Sequence, residues 1–233
     1  MASLPTHDIE GLHILDPKDR QGWKSKYITL LQERALRRHI PKGQGKLAVD
    51  LGCGFGRLTP LLAECGWQAV GIDPSPELLV YANQHYPGPE YRVGGLPNLP
   101  IEPATISLLL VQNVLRALKM MNRLELVNGV GRYLAEGARV VLVENLRVGH
   151  PAYLPEALII EMMQQEGLRL VQRVPLRAAR WWMIYLIRYG LIPESLYERI
   201  AEWELDRMAK RKDSPSWQYW NVLFVFDKVE RPS

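Results

Sequence analysis

The chain has 233 residues, 47% hydrophobic and 23% charged, the balance of a globular protein long enough to bury a sizeable core. Its formal net charge of +4 permits contact with anions without pointing to nucleic acid, and its two cysteines, Cys53 and Cys65, are too few for a disulfide framework. It shows no N-terminal leader pattern and no apolar run of about 18 residues, so secretion and membrane spanning are not expected and a reducing cytoplasm is.

Residues 1–16 carry little periodicity, and His7 and His13 in that stretch have no assignable place. Trp23, Tyr27, Leu30, Leu31, Ala35 and Leu36 then recur at helical spacing until Pro41-Lys42-Gly43, which predicts an N-terminal helical cap over residues 1–45. An apolar run follows and ends on Asp50. The chain turns through Gly52, Gly54 and Gly56, enters a helix, and returns on a second run ending Gly71-Ile72-Asp73. That order describes a βαβ unit with a ligand crevice at the strand C-termini. Gly52 and Gly54 let bare backbone approach a ligand, Gly56 lets the helix pack closely, and Asp73 stands where a carboxylate accepts ribose hydroxyls. The third glycine comes one residue too early for a dinucleotide fingerprint. The Asp50 carboxylate at the mouth of the turn repels phosphate and attracts ammonium.

Asp50-Leu51-Gly52-Cys53-Gly54-Phe55-Gly56 with Gly71-Ile72-Asp73 resembles the class I methyltransferases that use S-adenosylmethionine. The similarity continues through 93–100, 106–115 and 132–144, which look like the third, fourth and fifth strand regions of that family, and covers about residues 45–175. It implies a Rossmann-like, doubly wound α/β sheet of seven strands, mostly parallel with an antiparallel last strand. It also implies that S-adenosyl-L-methionine is the cofactor. By the same resemblance Asp50 and the Gly52 backbone meet the methionine amino group, Asp73 the ribose and Leu96 the adenine. Cys53, Gly54, Gly56, Arg57, Pro74, Gly95, Gln112 and Asn113 complete the expected cofactor set, with Arg57 or Lys26 as the cation for the terminal carboxylate. Arg57, at the opening of a helix, equally suits a solvent-facing position. The chain departs from the family at Gly95 and Ser107, where aspartates often stand. Adenine recognition then falls to backbone groups around Gly95 and Leu96.

Short β-rich runs at 47–51, 69–72, 90–93, 106–111, 139–143 and 168–174 alternate with helical stretches, one of them at 154–166. This alternation predicts a parallel sheet covered on both faces, with a cofactor-binding core over residues 46–176. Residues 180–190 and 193–212 read as two helices, a lid insertion over 177–215, before a final strand within 216–229. Five of the seven tryptophans lie from Trp181 onward, concentrating aromatic surface in that last part. Arg169, Arg173, Arg177, Arg180 and Arg188 gather nearby. They read as a solvated face balanced by Glu194, Glu198, Glu202 and Glu204.

Acceptor chemistry belongs above the C-terminal strand ends, which places His39 and His85 at the wrong edge of the sheet and His150 at the right one. Glu144 and Asn145, at the end of the fifth strand, are the other catalytic candidates. A loop surface position for His150, and an Arg147 partner or helix cap for Glu144, are the structural alternatives. Trp181, Trp182 and Tyr185 are candidate acceptor contacts. Their segment reads either as a lid over a small-molecule or glycan acceptor, or as an interfacial helix giving peripheral membrane contact. No cluster of His, Cys and acids has ligand spacing, so no metal is expected. The resulting expectation is methyl transfer to oxygen or nitrogen of a small or medium-sized acceptor. The alternatives are a lipid-linked glycan or membrane-associated acceptor, and a non-catalytic module that keeps the fold.

Overall fold

Near-continuous apolar runs, rather than alternating ones, are what strands need when helices cover both faces of a sheet. Four such runs form its centre: β1 (Leu47–Leu51), β2 (Gln68–Asp73), β4 (Ile106–Gln112) and β5 (Leu134–Leu146). They come from a computed structural model that describes residues 19, 21–117, 129–147, 149, 153–178, 182–210 and 220–229. These strands are parallel, with Asp50 of β1 in register with Gly71 on one side and Leu110 on the other. β3 (Glu90–Val93) adds to β2, while β6 (Leu168–Ala178) and β7 (Trp220–Lys228) complete the order β3-β2-β1-β4-β5-β7-β6. β7 runs antiparallel to both neighbours. The chain winds one way from β1 to β3 and the other way from β4, so the crevice of a doubly wound sheet opens between β1 and β4.

Seven helices lie among the described residues: α1 (Trp23–His39), α2 (Thr59–Glu64), α3 (Pro76–His85), α4 (Val114–Ala117), α5 (Glu156–Gln165), α6 (Met183–Arg188) and α7 (Tyr197–Ala209). Strand alternation sends Val49, Leu109, Val140 and Leu142 to one face, where Ile159, Met162 and Met163 of α5 cover them. Ala48, Leu108, Leu110, Val141 and Val143 go to the other face. There Leu31 and Leu36 of α1, Leu61 and Leu62 of α2, and Ile184, Ile187, Ala201 and Leu205 of α6 and α7 form the cover. Each face buries enough aliphatic area for burial to be the main force holding the layers.

The helices of the expected insertion pack on α1 and β6. Tyr27 of α1 is fully buried and donates to Glu204 Oε2 of α7 at 2.6 Å, with Tyr197 edge-on to its ring. Arg34 bridges Glu198 and Glu202, and Arg38 bridges Glu202 and Asp206. Thus Glu198 and Glu202 balance arginines of α1 rather than the later basic cluster, in which Arg173 pairs with Glu156. Several boundaries also move. β5 begins at Leu134 rather than 139, with a register break between Leu134 and Arg139 opposite Ile106 and Leu108, and β6 continues to Ala178, across the expected start of the insertion. α6 and α7 are shorter than their apolar patterns because each ends once its buried stripe ends.

Candidate cofactor and acceptor site

The turn after β1 is built by backbone that side chains would obstruct. Gly52 has φ +72°, and a Cβ there would stand 2.4 Å from Val114 Cγ2 of α4. Gly54 has φ +56° and nothing within 4 Å of where its Cβ would be, so its backbone lies open to a ligand. A Cβ on Gly56 would meet Ala82 of α3 and the Tyr91 hydroxyl at 2.8 Å, which draws α3 and β3 against the turn. The Gly52 and Cys53 N–H groups both donate to Ile72 O of β2, at 2.8 and 3.1 Å, tying the turn to the neighbouring strand.

Two carboxylates flank it. Asp73 Oδ2 accepts from Gly54 N at 2.9 Å and Oδ1 from Ser75 N at 3.0 Å. An ionised carboxylate accepts about four hydrogen bonds, so each oxygen keeps a lone pair for one hydroxyl of a diol. Burial raises the Asp73 pKa, and the Ser75 and Gly54 N–H groups oppose that rise. Asp50 is 3% exposed, and its Oδ2 accepts from Thr59 Oγ1 at 2.7 Å. Burial pushes its pKa up to about 6, against the lowering effects of Thr59 and of the Arg57 charge. A cation arriving there replaces lost solvation and favours the ionised form. Cys53, between them, is a half-buried thiol whose pKa is raised by desolvation and by both aspartates, which makes it a poor nucleophile.

Arg57 turns inward instead of facing solvent. α2 starts at Thr59, two residues later, and the Arg57 guanidinium donates to Thr29 Oγ1 at 3.2 Å and Gln32 Oε1 at 2.8 Å, both on α1. Lys26, the other candidate cation, pairs with Glu194. Pro74 is exposed beside Asp73. Gly95 forms an isolated bridge with Asn98, and a Cβ on Gly95 would meet nothing within 4 Å, so packing does not forbid a carboxylate there. Leu96 lines a small apolar cavity with Leu51, Val111, Leu115 and Met163, under the adjoining strand ends.

At the end of β4 the Gln112 carboxamide is buried with neither its nitrogen nor its oxygen partnered. Asn113 follows with φ +54°, and its Oδ1 accepts from Asn145 Nδ2 at 2.9 Å. Glu144 and Asn145 are consecutive on β5 and so point to opposite faces. Glu144 is 2% exposed on the α5 side with Leu142 and Leu146, while Asn145 faces the other layer beside Asn113. The two candidates therefore cannot attend one reacting atom together. His150 and Trp181 lie outside the described residues, as do His7, His13 and Arg180. Trp182 and Tyr185 are 62% and 47% exposed and face outward from the α1 layer. The sequence reading missed Thr29, Gln32, Thr59, Tyr91 and Asn221, isolated polar residues without a repeating pattern to mark them.

These groups fit S-adenosylmethionine. A carboxylate with two lone pairs free for a diol, a buried acid suited to an ammonium, an open glycine backbone and an unpartnered buried carboxamide sit together at the strand ends. The mismatches with the family pattern are the absences of an acidic side chain at Gly95 and at Ser107.

The family model of a methyltransferase domain matches residues 49–142, from inside β1 to inside β5. The chain is 30% identical over 111 residues to an uncharacterised methyltransferase of Synechocystis, covering 48% of this chain and 52% of that protein. It is 29% identical over 157 residues to an uncharacterised methyltransferase of Mycobacterium bovis, covering 66% and 62%. The chain thus spans between half and two thirds of the length of these curated relatives. Among solved structures it shares its fold with geranyl diphosphate C-methyltransferase from Streptomyces coelicolor, in complex with magnesium, geranyl diphosphate and S-adenosyl-L-homocysteine. The TM-score is 0.63 and the identity 16%, over 85% of this chain and 80% of that one. With the glycine turn between paired aspartates, the β4 and β5 strand ends and the antiparallel last strand all in place, the chain has the fold of the class I S-adenosylmethionine-dependent methyltransferases, and its residues 49–142 match a methyltransferase domain.

Proposed function

We propose that the protein transfers a methyl group from S-adenosylmethionine to oxygen or nitrogen of a small or medium-sized acceptor, in the cytoplasm. The observation that carries this reading is Asp73, held by Gly54 and Ser75 with both oxygens still able to accept, directly across the glycine turn from the buried Asp50. When bound, the sulfonium supplies an electrophilic methyl group: the acceptor's lone pair bonds to the methyl carbon while the carbon–sulfur bond breaks and its electron pair returns to sulfur. The residues of the chain bind and orient. Asp73 takes the ribose hydroxyls, Asp50 and the Gly52 carbonyl the ammonium, and Leu96 the apolar face of adenine. Apolar walls around Leu51, Val111 and Leu115 exclude water from the line of attack, and alignment with exclusion of water is where much of the acceleration of such a displacement arises. Two free thiols, Cys53 and Cys65, support the cytoplasmic assignment.

Calorimetry tests the reading directly. S-adenosylmethionine and S-adenosylhomocysteine should both bind, and Asp73→Ala should weaken each by about 1–3 kcal/mol, the cost of leaving ribose hydroxyls unpaired. Absence of affinity for both, with tight binding of a nicotinamide dinucleotide, would overturn it.

A second reading, an acceptor at a membrane surface, rests on Trp182, Tyr185 and Tyr189, which stand outward at helical spacing along α6. No helix among the described residues is long and apolar enough to cross a membrane, so such contact would be peripheral. Vesicles containing anionic lipid should then retain the protein, and Trp182→Ala should release it. Equal recovery of both proteins in the unbound fraction removes this reading.

A further inference from the structure

Three asparagines stand in a row on the α1 and α7 face of the sheet. Asn221 of β7 is in register with Asn145 of β5, and Asn113 follows the end of β4. Asn221 Nδ2 donates to Asn145 Oδ1 at 3.0 Å, and Asn145 Nδ2 donates to Asn113 Oδ1 at 2.9 Å. A carboxamide accepts at one end and donates at the other, so a head-to-tail row has a direction. Here the Asn145 and Asn113 carbonyls are each filled from the β7 side, and the Asn221 and Asn145 amide nitrogens each donate towards the β4 side. Asn113 is the last member, with its Oδ1 taken and its Nδ2 without a partner among the described residues. Its backbone sits at φ +54°, anchored by its N–H to Val143 O at 2.8 Å. Asparagine is among the few non-glycine residues that adopt this conformation readily.

The direction has a physical source. Arg177 of β6 is in register with Asn221, and a guanidinium attracts the negative end of an amide dipole. A cation on the β6 side favours the arrangement seen, in which Asn221 Nδ2 donates to Asn145 on the other side. Asn221 is itself buried, so reversing it against Arg177 would misplace a buried polar group.

We propose that Asn145 and Asn221 are positioning residues that lock the Asn113 carboxamide with its N–H groups towards the crevice, so that the acceptor held there presents a hydrogen-bond-accepting oxygen, such as a carboxylate, rather than an ammonium. This deepens the methyltransferase reading and rests on it.

The test uses the full chain saturated with S-adenosylhomocysteine and two probes of equal size and opposite polarity, benzoate and benzylamine, followed by the side-chain amide resonances of 15N-labelled protein. Benzoate should shift the Asn113 resonances and bind about 5-fold more tightly than benzylamine, the worth of one hydrogen bond. Asn221→Asp, kept ionised beside Arg177, can only accept, so Asn145 and then Asn113 must turn over and expose Asn113 Oδ1. The preference should then invert by a similar factor although the substitution is two hydrogen bonds from the crevice. Asn145→Asp should invert it as well, one bond closer. A purely structural role would lower both affinities together and leave their order unchanged. Preference for benzylamine in the wild type, the same order in all three proteins, or no shift at Asn113 with either probe overturns the proposal. Failure of the wild type to take up S-adenosylhomocysteine overturns the methyltransferase reading instead.

Discussion

The glycine turn and the α1–α6–α7 layer are both held by buried polar contacts, yet they are assembled over different distances along the chain. Thr59 reaches Asp50 across 9 residues and Gly54 reaches Asp73 across 19, whereas Tyr27 reaches Glu204 across 177. A short-range device is specified by its own glycines and aspartates. A long-range one depends on a whole layer being in place, and its residues look ordinary until it is. The two meet where Arg57 leaves the turn to donate to Thr29 and Gln32 of α1 and where Leu58 packs in the layer's buried cluster.

Gly52→Ala should break the turn hardest while leaving the layer intact. It combines left-handed strain of about 1–2 kcal/mol with an overlap on Val114 that costs about 1–3 kcal/mol. Denaturant unfolding with and without S-adenosylhomocysteine should show a loss on the order of 3 kcal/mol and no ligand-induced stabilisation. Adding Val114→Ala should recover the steric part and not the conformational part. Wild-type behaviour of the single variant would mean that the turn tolerates the Cβ that its geometry excludes.

The next effect breaks the layer and spares the site. Burial raises the Glu204 pKa to about 7, partly offset by the Tyr27 hydroxyl and by the Arg177 and Arg207 charges. The folded state therefore binds a proton more readily than the unfolded chain, whose glutamate titrates near 4.5. This contribution to stability is fully present below pH 4.5 and is lost as pH rises to about 7, by up to about 3 kcal/mol. Asp50 contributes with the same sign between 3.8 and about 6, so the informative quantity is the difference between wild type and Glu204→Gln across this range. The variant should flatten that part of the profile and keep its affinity for S-adenosylhomocysteine. Identical pH profiles for the two proteins would show that Glu204 does not titrate in this window.

The smallest effect sharpens the comparison. Arg38 bridges Glu202 and Asp206 at the exposed rim of the layer, where paired charges contribute about 0–1 kcal/mol and salt screens them. Arg38→Ala should lower stability by less than about 1 kcal/mol in dilute buffer and by almost nothing at 1 M salt. A larger loss that persists in salt would place the Arg38 contribution in packing of its stem rather than in its charge.

This contrast also explains what could be read from the sequence. Residues 47–73 announce themselves because glycine, aspartate and apolar residues alternate at the spacing the backbone demands, and the strand order follows from the alternation of short runs. Asn221 and Gln32 gave no such signal. Each matters through partners brought beside it by the sheet or by α1, and a lone polar residue in an apolar run has no period. Arg57 leaves two readings open in the sequence for a related reason. Its place before a helix suggests solvent, but α1, placed by contacts across the whole chain, covers it. Trp182 and Tyr185 suggested a substrate pocket by composition, whereas Ile184 and Ile187 supply the buried face of α6.

The place of β7 in the sheet has a consequence for how the protein is made. Among the described residues β6 joins β5 only through β7, and β7 follows both of them in the chain. Until residues 220–228 have left the ribosome, the nascent chain carries two long apolar strand edges with nothing between them. For that interval the domain can bind its own copies along those edges more readily than it can finish folding, so a pause or release of the chain before residue 220 would be read out as aggregation.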